Sequence, residues 1–182
     1  MSVEQRGTWY LNALPSGIQT VMMRKIIEQI DAMLSYHSKV IAIRWDLHQP
    51  SYTPNNQRMS VFLRRLKKRL QTVYRIKRLG YVWARESATQ VNQHYHFMVL
   101  LDGQKIKHSN SVFHIAREIW ADMGGSSCSL PENPFYKIYR GDDLAKSEVI
   151  YRASYLAKSA SKGKRPAQTK DYSTSRLLPK QH

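Results

Sequence analysis

Hydrophobic positions recur along the chain with two periods, one typical of helices and one typical of strands. Apolar residues at helical spacing predict helices over residues 18–35, 57–78, 110–123 and 144–158. Short apolar runs rich in β-branched and aromatic residues predict strands over residues 40–46, 81–86, 93–101 and 135–139. Gly80 is placed to end the second helix. This order predicts an α+β fold with a central, mainly antiparallel sheet flanked by helices.

Length and composition favour one folded domain. The chain has 182 residues, of which 42% are hydrophobic, enough to fill a core. We expect a single domain over residues 1–158, in which residues 1–38 form an N-terminal helical extension. Residues 159–182 are rich in Lys, Ser, Gly and Gln, which predicts a basic, flexible tail. A single cysteine excludes an internal disulfide, and no apolar run exceeds five residues, so we expect a cytoplasmic protein without a membrane-spanning helix.

Positive charge is concentrated in two segments. The chain carries 29 Lys and Arg against 13 Asp and Glu, a net charge of +16. Residues 58–78 contain nine basic residues and no acidic one, and residues 151–182 contain eight basic residues and one acidic. This excess predicts a polyanionic partner, nucleic acid ahead of an acidic membrane surface, although a charge run alone is equally typical of a solvated helix face. The residues expected to contact DNA backbone are Arg64, Lys67, Lys68 and Arg75 on the helix and Lys162, Lys164 and Arg165 in the tail.

Two histidines and a glutamate form a candidate metal site. His94 and His96 are two residues apart in a predicted strand, so their imidazoles project from the same side, while Tyr95 points into the core. If the preceding strand forms a hairpin with this one, Glu86 falls opposite His94 or diagonally near His96. Two imidazoles and a carboxylate can hold a divalent cation and leave coordination positions open for phosphate oxygens. The alternatives are that the pair has no ligand role and that Glu86 pairs with a surface Lys or Arg.

The last predicted helix carries a candidate nucleophile. At helical spacing Tyr151, Tyr155 and Lys158 share one face, away from a separate apolar face formed by Val149, Ala153, Leu156 and Ala160. A phenol attacks phosphorus effectively only where a cation stabilises the developing charges. A tyrosine in this setting can form a phosphotyrosine bond that conserves the energy of the phosphodiester. The alternative is that both tyrosines are amphipathic residues at the edge of the core.

These motifs resemble those of the HUH endonuclease superfamily, the rolling-circle replication initiators. The resemblance rests on His94-Tyr95-His96, on the upstream Glu86, and on the Tyr-x-x-Lys step from Tyr155 to Lys158. The stretches IAIRWDLHQP, YVWARE, HYHFMVLLDG and YRASYLAKS are most similar to the inovirus gene-II-type family, also called the YagK/YfjJ C-terminal domain family, of phages and prophages.

The resemblance implies a ferredoxin- or RRM-like fold and site-specific nicking of single-stranded or supercoiled origin DNA. Glu86, His94 and His96 would hold one Mg²⁺ or Mn²⁺ ion, and Tyr155 would attack the scissile phosphate, remain on the 5′ end and free a 3′-hydroxyl for a host polymerase. Tyr151 has Ser154 where the lysine would be, so it is either a second nucleophile or a residue that stacks on DNA.

Several features of the chain qualify this expectation. Arg44, Trp45 and Asp46 stand where hydroxyl residues are common in initiators. Asp46 is a DNA contact, an accessory acidic group or a structural strand-end residue. The chain has no G-x-x-x-x-G-K-[ST] loop, so unwinding would require the host's helicase. The competing functions are a non-catalytic DNA-binding regulator with the same fold and an HUH transposase or relaxase-like strand transferase.

Overall fold

The computed structural model describes residues 2–4, 8–12, 17–87, 93–158 and 166–181. The helices are α1 (Thr20–Tyr36), α2 (Gln57–Tyr74), α3 (Ser109–Asp122) and α4 (Asp143–Ser154), followed directly by a 3₁₀ turn (Tyr155–Ala157). The strands are β1 (Ser2–Glu4), β2 (Thr8–Tyr10), β3 (Lys39–His48), β4 (Gly80–Ser87), β5 (Gln93–Asp102), β6 (Ser127–Ser129), β7 (Phe135–Tyr139) and β8 (Tyr172–Thr174).

Six strands form one antiparallel sheet, which confirms the predicted α+β class. The order is β6-β3-β5-β4-β8, and β7 pairs with the same edge of β3 as β6, further along the strand. β1 and β2 form a separate two-stranded hairpin. The long strands β3, β4 and β5 are central because their near-continuous apolar sequences allow both faces to be covered.

Helices cover both faces of the sheet. α1 and α4 pack on one face, where their apolar residues meet Val40 and Ala42 of β3 and Met98 of β5. α2 and α3 pack on the other face against the alternate residues of the same strands, among them Trp45 and Phe97, whose rings stack at 4.8 Å. The period of two in the strands therefore divides the core into two layers.

The face under α1 and α4 changes character along its length. At one end the central strands present apolar residues, including Ala42, Val82 and Leu100. At the other end the residues on the same face are polar and charged: Arg44, Asp46 and His48 on β3, Glu86 on β4, and His94 and His96 on β5. This polar half of one sheet face is where the candidate site lies.

Three local predictions differ from the structure. α2 ends at Tyr74, where Arg75 takes a left-handed conformation with φ of 51°, and Gly80 instead begins β4. A side chain at position 80 would lie 3.0 Å from the Cβ atom of Leu100, so the glycine allows close strand packing. Residues 2–4 and 8–10 form strands within the predicted helical extension, because three-residue strands are too short to show a period of two.

The C-terminal segment also differs from the expected flexible tail. Tyr172–Thr174 pairs with β4, and the hydroxyl of Ser175, only 8% exposed, donates to Gln29 of α1 at 2.6 Å. Edge pairing uses backbone groups, so a polar composition did not predict it. No helix within the described ranges is long and apolar enough to cross a membrane.

Candidate metal centre and tyrosine site

Strand register assembles the three predicted ligands. On adjacent strands Glu86 is directly opposite His94, and His96 is opposite Ala84 one position further along the same face. The Glu86 carboxylate contacts both rings, with Oε2 at 3.5 Å from His94 Nε2 and 3.1 Å from His96 Nε2. The two Nε2 atoms are 3.3 Å apart. Each residue thus offers a ligand atom to a common point, and all these atoms lie within 4.8 Å of one another, so the group could bind a metal ion.

The hydrogen bonding of His96 is compatible with a cation between these atoms. Nδ1 of His96 lies 2.6 Å from Oδ1 of Asp46, which β3 places directly opposite His96. If Nδ1 carries the proton of the neutral ring, its Nε2 has only a lone pair to present to the Glu86 carboxylate. Two acceptors at 3.1 Å repel each other unless a proton or a metal ion lies between them. A histidine oriented in this way by a carboxylate is typical of metal ligands.

The charges around His96 favour its protonated form when no metal is bound. Burial alone would lower the pKa of His96, but hydrogen bonds and negative charges from Asp46 and Glu86 outweigh it and raise that pKa above the ordinary value. A metal ion at Nε2 would therefore compete with a proton for the same position.

His48 borders the centre without joining it. Its ring stacks on His94 at a centroid distance of 5.2 Å, and burial, followed by the charge of His94, lowers the pKa of His48. Trp120 Nε1 donates to the His48 carbonyl at 3.0 Å and fixes this end of β3. No role for His48 follows from the sequence, because its place opposite His94 depends on the register between β3 and β5.

Tyr155 and Lys158 lie over the same polar face. Lys158 Nζ donates to the Tyr155 hydroxyl at 2.9 Å and lies 3.5 Å from Glu86 Oε1. The Tyr155 ring meets the His96 ring edge to face at 5.3 Å. Burial disfavours the charged amine, but the hydrogen bond to Tyr155 and the charge of Glu86 outweigh it and raise the pKa of Lys158. The sequence pattern predicts that Tyr155 and Lys158 lie side by side. In the structure they do, and they also contact Glu86 and His96 of the ligand trio.

The backbone around Lys158 is held by the N-terminal segment. Ile18 forms an isolated β-bridge with Lys158, and Gln19 N donates to the Ala157 carbonyl at 2.8 Å. These bonds fix the direction in which the lysine leaves the 3₁₀ turn.

Tyr151 is separate from this arrangement. Its side chain is 42% exposed, and among the described residues it has no ring contact or hydrogen bond with the candidate ligands. Ser154, which replaces the lysine in the Tyr151 step, is fully buried and donates to the Tyr151 carbonyl at 2.6 Å. The structure therefore unites Tyr155, but not Tyr151, with Lys158 and Glu86.

Arg44 is a site residue that sequence reasoning missed. It lies two residues before Asp46 on the same strand face, is only 7% exposed, and holds its guanidinium carbon 5.8 Å from the Tyr155 ring centroid. Burial lowers the pKa of Arg44, although an arginine remains charged. The available signal was a charged residue inside the apolar run IAIRW, on the same side as Asp46.

The predicted DNA-contacting residues lie elsewhere. Arg64, Lys67, Lys68 and Arg75 are exposed on or just after α2, which covers the sheet face opposite the candidate site. Arg64 and Lys67 line a groove of about 600 Å³ whose other wall includes Arg176 after β8. Lys68 faces the side where Ile119 of α3 lies. The remaining three, Lys162, Lys164 and Arg165, lie outside the described residues.

Three large aromatic side chains of the central strands β3, β4 and β5 are core residues. Trp45 and Tyr95 are fully buried and Trp83 is 5% exposed, all in the layer beneath α2 and α3. None of the three is available to a nucleic acid in this structure.

The fold and the site together define a class of protein: an α+β protein with a candidate His-His-Glu metal centre beside a tyrosine. The sequence model of the YagK/YfjJ C-terminal domain family matches residues 11–172, nearly the whole chain. The chain belongs to this family. No significant match was found among curated proteins or among solved structures.

Proposed function

We propose that this protein nicks and rejoins single-stranded DNA as a rolling-circle replication initiator of the HUH type, with Tyr155 as the covalent nucleophile. The single observation that carries the proposal is the chain of contacts from the Tyr155 hydroxyl to Lys158 at 2.9 Å and from Lys158 to Glu86 at 3.5 Å. It joins a candidate nucleophile to a candidate metal ligand through a cation.

The proposed chemistry assigns each side chain a role. Glu86, His94 and His96 would hold one Mg²⁺ or Mn²⁺ ion, which when bound acts as a Lewis acid toward the scissile phosphate. The Tyr155 oxygen attacks phosphorus and loses its proton; the bond from phosphorus to the 3′ oxygen breaks, and that oxygen takes up a proton. Lys158 stabilises the phenolate as it forms, and the reverse reaction rejoins the strand.

The proposed role extends to the start of DNA replication. The freed 3′-hydroxyl would prime a host polymerase in the cytoplasm, and a host helicase would separate the strands. The basic surfaces of α2 would bind DNA backbone through its phosphates. Because α2 covers the sheet face opposite the candidate site, the bound DNA would have to pass around an edge of the sheet to use both.

A covalent-adduct assay tests the nuclease proposal. Supercoiled plasmid carrying the DNA that flanks the gene is incubated with protein and Mn²⁺, and protein–DNA adducts are separated under denaturing conditions. We expect adduct with the native chain and with Tyr151→Phe, the matched control, and none with Tyr155→Phe or with EDTA. An adduct that persists in the Tyr151→Phe, Tyr155→Phe double variant would refute the assignment of the nucleophile.

The same experiment separates the nuclease from a DNA-binding regulator. A regulator would form no adduct with any chain, and its salt-sensitive DNA binding would be unaffected by EDTA or by alanine at His94 and His96. That result would replace the proposed activity with binding alone.

We propose that DNA binds along the side of α2 where Arg64 and Lys67 line the groove. Alanine at Arg64 and Lys67 should reduce the slope of log affinity against log salt for single-stranded DNA by about 1.4, roughly 0.7 for each lost phosphate contact. Alanine at Arg65 and Arg69 removes the same charge from the side facing α3, where neither residue is a predicted DNA contact, and serves as the matched control. Equal slopes for the two double variants would exclude the groove as the binding path.

A further inference from the structure

Arg44 is a largely buried cation close to the Tyr155 ring. Its side chain extends from the middle of β3 into the layer under α4 and is 7% exposed. Among the described residues none accepts a hydrogen bond from its guanidinium, whose recorded contact is with the Tyr155 ring at 5.8 Å. Asp46 also acts on this charge, but its Oδ1 is engaged by His96 at 2.6 Å.

A second buried arginine, Arg85, differs from Arg44 in its hydrogen bonding. Arg85 is 2% exposed on the opposite face of the sheet, where its guanidinium donates to the carbonyls of Thr53 at 2.6 Å and Asn55 at 3.3 Å. Side-chain oxygens of Asn56 and Gln93 accept two further bonds. A buried charge is costly unless hydrogen bonds compensate it, and Arg85 has four such bonds, although its Nε is unpaired. The Arg44 guanidinium has none within the described ranges, yet its nitrogens are not among the fully buried unpaired atoms, so they reach the surface and are open to a ligand.

Two more hydrogen-bond donors, Tyr136 and Arg152, belong to the surroundings of Arg44. The hydroxyl of Tyr136 on β7 is buried and has no hydrogen-bond partner within the described ranges. Arg152 of α4 is partly buried, and its charge acts on both Arg44 and Tyr136. Glu148 and Glu132 also act on Tyr136, so negative charge is present as well. The strand register places Tyr136 opposite Ala42, two residues before Arg44 on the same sheet face.

We propose that Arg44, together with Arg152 and the Tyr136 hydroxyl, binds one phosphodiester group of the DNA strand next to the phosphate attacked by Tyr155. This inference rests on the proposed function, because it places the bound phosphodiester beside the nucleophile Tyr155. The Tyr155 ring lies 5.3 Å from the His96 ring of the candidate metal centre and 5.8 Å from the Arg44 guanidinium carbon. The planar fork of an arginine pairs with two phosphate oxygens at once. Bound there, a neighbouring phosphate would hold the strand in register over the nucleophile.

Neutral phosphates in the substrate test the contact directly. Oligonucleotides that carry a single methylphosphonate at successive positions around the nick are compared for binding and adduct formation by the native chain and Arg44→Met. In the native chain one position beside the scissile phosphate should weaken binding by about tenfold or more, as expected for a lost charge-assisted bond. In Arg44→Met that position should lose its effect while other positions keep theirs. The same sensitivity profile in both proteins would overturn the proposal.

Thermal unfolding with inorganic phosphate gives a readout that does not depend on nicking. Arg44→Met should not lower the Tm in chloride, because the substitution breaks no hydrogen bond between the guanidinium and the described residues and removes a charge that is largely withdrawn from water. Arg85→Met, the matched control, should lower the Tm because it removes four hydrogen bonds and leaves the Thr53 carbonyl without the guanidinium that donates to it at 2.6 Å. Phosphate at equal ionic strength should raise the Tm of the native chain and not that of Arg44→Met.

These outcomes distinguish this inference from the proposed nuclease. A phosphate-dependent Tm shift that disappears in Arg44→Met, in a protein that forms no adduct, would support the anion site and refute the nuclease. A decrease in Tm for Arg44→Met equal to that of Arg85→Met, with the phosphate shift retained, would show that Arg44 is structural and overturn the inference alone.

Discussion

Replacing Asp46 by asparagine should weaken metal binding without removing a ligand. Asp46 Oδ1 accepts a hydrogen bond from His96 Nδ1 at 2.6 Å, and the two side chains are only 22% and 8% exposed. An asparagine removes the charge, and its amide can donate to Nδ1 and so favour the ring tautomer that has its proton on Nε2. That tautomer has no lone pair to offer at the point where Glu86 and His94 converge.

The expected size follows from the bond that is lost. A charge-assisted hydrogen bond contributes about 1.5–3 kcal/mol, which corresponds to roughly 10–100-fold in Kd and agrees with the usual effect of removing the partner of a ligating histidine. Isothermal titration of Mn²⁺ into the DNA-free protein measures this directly. We expect Asp46→Asn to bind more weakly by that factor and His96→Ala to lose binding.

Asp102 provides a control with the same chemistry. It pairs with His37 Nδ1 at 3.4 Å, away from the candidate centre, where α1 joins β3. Asp102→Asn should leave the Mn²⁺ affinity unchanged. If Asp46→Asn binds Mn²⁺ as tightly as the native chain while His96→Ala does not bind, the orienting role of Asp46 is wrong.

Three further variants or conditions test other parts of the structure. Lys158→Met should slow adduct formation at Tyr155 by about 100-fold or more, measured as a single-turnover rate, because the donor to the phenolate is lost; an unchanged rate would exclude the lysine from catalysis. Because the pKa of His96 is raised in the fold, its protonation stabilises the metal-free protein below the ordinary histidine pKa, and this stabilisation is lost as pH rises through the raised pKa. The stability advantage of the native chain over His96→Gln should therefore shrink with rising pH in denaturant unfolding, while the Mn²⁺ affinity measured by titration increases. Opposite trends in the two measurements would contradict this. Gly125→Ala should destabilise the fold by about 1–3 kcal/mol in denaturant unfolding, because a Cβ atom would lie 2.2 Å from the Trp120 indole; a neutral effect would show that the indole can move freely.

Sequence periodicity predicted the ligand trio because its members are close in sequence or joined by one hairpin. His94 and His96 needed only a period of two, and Glu86 needed only that β4 and β5 pair around a short connection. The core residues of the long helices and strands followed from the same periods. These are local relations, so no knowledge of the wider topology was required.

Relations between distant parts of the chain were not predictable in this way. Asp46 reaches His96 across 50 residues, and its position depends on which strand lies beside β5. The amphipathic pattern of α2 correctly predicted a buried and a basic face, but such a pattern does not state which side of the sheet the helix covers. The sequence therefore left the role of Asp46 open and did not reveal that Arg64 and Lys67 lie across the sheet from the site.

The separation of the two tyrosines comes from one change in helical geometry. In a continued α-helix Tyr151, Tyr155 and Lys158 would share a face, as their spacing predicts. The chain instead tightens into a 3₁₀ turn at Tyr155, in which side chains three residues apart lie one above the other. This geometry aligns Tyr155 with Lys158 and brings the amine to 2.9 Å from the hydroxyl. Tyr151 belongs to the α-helical part, where the residue three positions on is the buried Ser154, so the turn selects one tyrosine for the cation and leaves the other on the surface.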